Sequence, residues 1–190
     1  MKSLCVFCGS SSGVRKDYSE LAHAIGTSLA QQGLDLIYGG GRVGLMGVIA
    51  DAALAAGGRV VGVIPQLLLD KEVGHSGLSE LHVVQTMAER KWMMGELSDA
   101  YLALPGGIGT MDELFEAWTW TQLDLQRKPC GLLNFQGYYD SLVTFIDGAV
   151  KEGFLRPRHR AALIVDEDYV RLIAALAAYD GAKSLTRKLT

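Results

Sequence analysis

The chain has 190 residues, 49% of them hydrophobic and 21% charged, with a formal net charge of −3. That balance fits one globular domain with a substantial core and excludes a disordered chain; without a dense basic run, general nucleic-acid binding is not expected either. No apolar run reaches the roughly 18 residues of a membrane span and the N-terminus lacks a signal-peptide core, so no membrane association and a cytoplasmic location are expected.

Residues 4–8 read as a first strand, closing at Gly9-Ser10-Ser11-Ser12-Gly13. Over 17–32, Leu21, Ile25 and Leu29 recur every fourth position, the spacing of a helix, and Gly33 is its stop. A second strand at 34–38 enters Gly39-Gly40-Gly41, and an alanine-rich helix follows over about 45–56. The third strand, 59–64, ends at Pro65. Residues 66–80 are the least regular stretch and are expected to form a surface excursion. A short strand at 81–84 precedes a helix over about 87–97, and a strand at 101–104 runs into a second glycine-rich turn. From there a helix over about 110–125 is expected, then a strand at 130–134, a helix over 138–152, a strand at 161–165 and a helix over 167–179. The basic residues Lys183, Arg187 and Lys188 read as a solubilising tail.

Strands alternating with helices, several of them apolar throughout, imply an α/β fold: a Rossmann-like, doubly wound, mainly parallel sheet with helices on both faces. Such sheets bind ligands at the carboxyl ends of their strands, and the three glycine-rich turns (9–13, 39–47 and 105–110) each follow a strand. A dinucleotide dehydrogenase does not fit, because the first turn lacks G-x-G-x-x-G and the second strand ends in Tyr38-Gly39 rather than an acid. A P-loop NTPase does not fit either, since G-x-x-x-x-G-K-[ST] is absent.

Cys5 and Cys8 have C-x-x-C spacing. They lie inside a strand, where residues three apart face opposite ways, and read as buried structural thiols rather than a redox pair. His23, His75, His82 and His159 have no metal-ligand spacing, so neither a metal nor a cofactor is expected.

The most informative stretch is Leu-Pro-Gly-Gly-Ile-Gly-Thr-Met-Asp-Glu at 104–113. A strand that ends in glycines before a helix leaves unpaired N–H groups at the positive end of the helix dipole, a place for a phosphate. Glu113, three residues after Thr110, lies one turn further along on the same side. A second candidate is Met87-Ala88-Glu89-Arg90-Lys91. Arg90 and Lys91 project about 100° apart on a helix, and Met87 and Met94 flank Arg90 on its face. A cation bordered by apolar residues suits ligand contact better than one in a polar stripe.

T-M-A-E-R-K (86–91) and P-G-G-I-G-T-M-D-E (105–113), together with G-G-G-R-V-G-L-M-G (39–47) and V-F-C-G-S-S-S-G (6–13), resemble the LOG family. These are the cytokinin riboside 5′-monophosphate phosphoribohydrolases, often mislabelled lysine decarboxylases. The likeness runs from about residue 4 to about 155 and includes G-V-I-P (62–65) and G-L-L-N (131–134). It implies hydrolysis of the N-glycosidic bond of cytokinin riboside 5′-monophosphates or AMP to free base and ribose 5-phosphate, commonly by a homodimer. By resemblance Arg90 and Glu113 match the catalytic pair, Gly106, Gly107, Gly109 and Thr110 the phosphate loop, and Lys91 a substrate contact. Gly9, Ser10, Gly40, Gly41 and Met87 complete the candidate substrate-binding set. Ala88 stands where many members have histidine, and Ile108 where plant members have tyrosine, which bears on the pocket wall. No pyridoxal-phosphate lysine motif supports the decarboxylase label. A non-catalytic nucleotide or cofactor carrier of the same fold is the alternative reading. The helix 167–179, with Val170, Leu172, Ile173 and Leu176, and the tryptophan-rich helix over about 110–125 are candidate self-association surfaces.

Overall fold

A computed structural model describes residues 1–71 and 74–179; the basic tail residues Lys183, Arg187 and Lys188 lie outside that range. The strands are β1 (Ser3–Phe7), β2 (Asp35–Tyr38), β3 (Val60–Pro65), β4 (Glu80–Val84), β5 (Ala100–Ala103), β6 (Cys130–Leu133) and β7 (Leu163–Asp166). The helices are α1 (Lys16–Gln31), α2 (Gly44–Ala55), α3 (Gln66–Leu69), α4 (Met87–Glu96), α5 (Ile108–Gln122), α6 (Asp140–Lys151), α7 (Pro157–Arg160) and α8 (Tyr169–Ala177).

The strands form one sheet in the order β4-β3-β2-β1-β5-β6-β7, every neighbouring pair parallel. From β1 the chain winds outward to β4, then returns to the other side of β1 for β5, β6 and β7. The order therefore reverses between β1 and β5, where a crevice opens above the strand ends.

Both faces are covered, which is why the central strands are apolar throughout. Leu4, Val6 and Cys8 pack with Leu21, Ile25 and Leu29 of α1, Ile49 and Ala53 of α2, and Leu172 and Leu176 of α8. Cys5 and Phe7 face the other way, toward Met94 of α4, Leu114 and Trp118 of α5, and Ile146 of α6. All three cysteines are free and buried, and burial pushes the thiols of Cys5, Cys8 and Cys130 up, so they are unreactive.

Several local details differ from the sequence expectation. The irregular stretch 66–80 contains the single turn α3, and α7, begun by Pro157 at its first position, precedes β7. The helix after the second glycine turn starts at Ile108, two residues early, because Gly107 takes the extended backbone of an N-cap. α8 spends Leu172, Ile173 and Leu176 on its own sheet, so that apolar stripe is core rather than a self-association surface; Val170 alone of the four is exposed. No helix among the described residues is long and apolar enough to cross a membrane.

Candidate active site

The three glycine-rich turns meet at the reversal point. The amide of Gly9 donates to the carbonyl of Pro105 (3.2 Å), joining the turns after β1 and β5. The carbonyl of Gly9 in turn accepts from Leu45 (3.0 Å) in the first turn of α2. Gly106 has no room for a side chain, since a Cβ there would overlap Thr110 and crowd the Gly9 amide. That close approach brings the β1 turn against the start of α5.

α5 begins with no side chain capping its first turn, so the amides of Ile108, Gly109 and Thr110 remain available to an anion. One turn on, Glu113 is buried, with 9% of its surface exposed. Arg90 of α4 is equally enclosed at 7%. Its Nη2 lies 3.3 Å from Glu113 Oε1. The guanidinium is held from behind: Nε donates to the carbonyl of Val63 (3.2 Å) within β3, and Nη2 to that of Gly39 (3.5 Å) just past β2. A Cβ on Gly39 would overlap that guanidinium, so glycine is what lets it seat. Burial pushes the Glu113 carboxyl up to about 7; Arg90 opposes that shift, and burial outweighs it.

These two side chains form part of the wall of a cavity of about 470 Å³. Ser10, Gly41, Gly107, Gly109 and Thr110 line the same space, so the structure brings together candidate residues from all three turns. Its apolar wall is Val43, Met46, Ile64, Leu68 and Ile108. An adjoining cavity of about 350 Å³ shares Ser10 and Gly107 and adds Gly9, Gly106, Tyr18 and Tyr138.

Three candidates stand apart. Lys91 lines neither cavity: its ammonium pairs with Asp112 (3.0 Å) and Glu116 on α5. Gly40 is turned toward Ile64 and Leu81. Met87 is half-exposed, with its sulfur 3.8 Å from Arg90 Nη1.

Sequence reasoning placed Ile108 in the pocket wall but missed its other apolar members, Val43 and Met46 at the start of α2, Ile64 of β3 and Leu68 of α3. It also missed two tyrosines that brace the turn after β5. Tyr138 donates to the carbonyl of Gly106 (2.8 Å) and Tyr139 to that of Leu104 (2.7 Å). The adjacent pair at the start of a helix was the available signal. Among the described residues no group of three or more His, Cys, Asp and Glu is placed to hold a metal ion.

Comparison with known proteins gives the family. A family described as "Possible lysine decarboxylase" matches residues 46–176. The cytokinin riboside 5′-monophosphate phosphoribohydrolase of Rhodococcoides fascians is 50% identical over 176 residues, 92% of this chain and 89% of that protein. The chain belongs to the LOG family. An Arabidopsis thaliana LOG protein bearing the same name is 46% identical over 94% of this chain and 82% of its own length. Among solved structures, the molybdenum cofactor binding protein of Rippkaea orientalis superposes with a TM-score of 0.69 at 20% identity, covering 94% of this chain and 99% of that one. The molybdenum cofactor carrier protein of Chlamydomonas reinhardtii gives 0.67 at 22% identity, over 92% and 95%. At that identity the likeness is one of fold. The LOG relationship rests on sequence.

Proposed function

We propose that the protein is a LOG-type phosphoribohydrolase that cleaves the N-glycosidic bond of cytokinin riboside 5′-monophosphates, AMP or both, releasing free base and ribose 5-phosphate. The observation that carries this reading is the buried Arg90–Glu113 pair, 3.3 Å apart beside the uncapped start of α5. Binding a phosphate alone would not call for a buried carboxylate next to its site.

In this reading the amides of α5, with Gly106, Gly107, Gly109 and Thr110 around them, hold the 5′-phosphate and so fix the ribose. As the C1′–N bond lengthens, the sugar gains oxocarbenium character, which the Glu113 carboxylate stabilises while orienting and deprotonating the attacking water. The water's oxygen bonds to C1′, and the proton it gives up balances the one that the departing base takes at its ring nitrogen. Held near 7, Glu113 changes protonation around neutral pH, where a general base works well. Arg90 keeps the carboxylate in place and offsets charge between it and the phosphate. The apolar wall of Val43, Met46, Ile64 and Leu68 suits a base or a base bearing a hydrocarbon substituent.

The test is free-base release from AMP and from isopentenyladenosine 5′-monophosphate. Release from either supports the hydrolase, and the rate ratio ranks the substrates. AMP bound without release from either would favour a carrier.

A homodimer and a cytoplasmic location belong to the same proposal. Trp92 and Trp120 meet edge to face at the surface (5.4 Å between centroids), and Leu123 and Leu125 are exposed nearby in sequence. Such an apolar patch suits a second copy. Three free thiols suit a reducing compartment. Sedimentation of a fully active monomer would remove the dimer from this proposal.

A further inference from the structure

The turn at 39–41 carries one of the two carbonyls that hold Arg90, and something must hold the turn. Its second carbonyl, that of Gly40, accepts from the amide of His75 (2.9 Å), and Gly41 forms an antiparallel bridge with Gly74. The imidazole of His75 is largely enclosed and does not line the cavity. The amide of Gly77 donates to its Nδ1 (3.1 Å), which makes that nitrogen an acceptor. Nε2 then carries the proton and reaches Asp51 Oδ1 on α2 at 2.9 Å. Asp51 itself is mostly exposed, so the pairing joins an enclosed imidazole to a carboxylate at the surface of α2. One side chain thus ties α2 to the segment that clamps the turn behind the guanidinium.

We propose that His75, through its bond to Asp51, is a positioning residue: it holds the 39–41 turn at the height that keeps Arg90 on Glu113. It acts through Gly40 and Gly39 and touches no substrate. The inference rests on the hydrolase reading for its kinetic consequences, and on geometry alone for its structural ones.

The experiment compares His75→Ala, Asp51→Ala, the double variant and His75→Gln, following base release from AMP and hydrogen exchange of residues 39–43. His75→Ala is expected to lower kcat about 10-fold, since a small displacement of a positioned group is enough to do so. KM should move less than about 3-fold, because the phosphate contacts on α5 are untouched. Asp51→Ala should match that loss and the double variant add nothing, the mark of one shared interaction. Gln can present an N–H near the position of Nε2 and should restore most of the rate. In His75→Ala the pH inflection assigned to Glu113 should also rise, as a loosened Arg90 holds it down less while Lys91 and Asp112 stay as they are. Exchange at 39–43 should quicken in both alanine variants. An unchanged kcat in both, or a loss that Gln does not rescue with the inflection unmoved, overturns the proposal. Unchanged exchange overturns it even without any turnover assay. A wild type that releases no base would count against the hydrolase reading, leaving the exchange result to decide the clamp.

Discussion

The two ends of the sheet carry charges in opposite ways. At the amino end, Arg59 bridges Asp35 (2.9 Å) and Glu80 at the entrances to β2 and β4, all three well exposed. Asp99 accepts from the amides of Lys2 and Ser3, and those bonds, that of Lys2 first, hold its carboxyl below the usual range. Each charge there has a partner and water as well. At the carboxyl end, Arg90 and Glu113 are more than nine-tenths buried, and burial pushes Glu113 up to about 7. Pairs in water cost little and contribute little, whereas a buried pair is expensive to ionise and acts strongly on whatever sits beside it. The same parallel sheet thus has a structural end and a chemical end, and the reversal between β1 and β5 decides which is which.

That contrast can be broken at Arg90. Arg90→Met should lower kcat/KM for base release by about 100-fold, in the range for removal of a preorganised charge. It should also move the acidic limb of the pH profile upward from about 7, since Arg90 is the main group opposing the shift of Glu113. In the wild type, activity should fall as pH drops through about 7 and the Glu113 carboxylate takes up a proton; a profile flat from pH 5 to 8 would contradict the assigned role. Gly39→Ala comes next. Its methyl group would occupy the guanidinium's seat, so we expect about a 10-fold loss of kcat/KM, with overpacking costing roughly 1–3 kcal/mol in denaturant titration. Arg59→Ala sharpens the comparison from the other end. It should leave kcat and KM unchanged and lower stability by no more than about 1 kcal/mol, as exposed pairs do.

Most of the layout was legible in the sequence, for reasons that are themselves local. Apolar strands closed by glycines and helices with fourfold spacing need no long-range knowledge, and Glu113 could be placed from its distance to Thr110 alone. Arg90 stood out through its methionine neighbours and through the resemblance that pairs it with Glu113. What holds Arg90 was not legible: the carbonyls of Val63 and Gly39 come from β3 and from the turn after β2, and any residue type supplies a carbonyl. Lys91 shows the same limit from the other side. It follows Arg90 in the same charged motif, yet Asp112 and Glu116 on the neighbouring helix hold its ammonium between α4 and α5, a pairing set by how those helices lie together. Helix α8 looked amphipathic and is, but only the fold reveals that β6 and β7 take up its apolar stripe.

The most direct measurement is the rate of adenine release from AMP by the wild type and by Glu113→Gln, with AMP binding measured alongside. Glutamine keeps the shape of the side chain and removes its ability to take a proton or carry charge. The buried carboxylate predicts a fall in rate of about 1,000-fold, within the range for loss of a general base, with AMP still bound. Release at the wild-type rate by Glu113→Gln would contradict it and move the chemistry away from the Arg90–Glu113 pair.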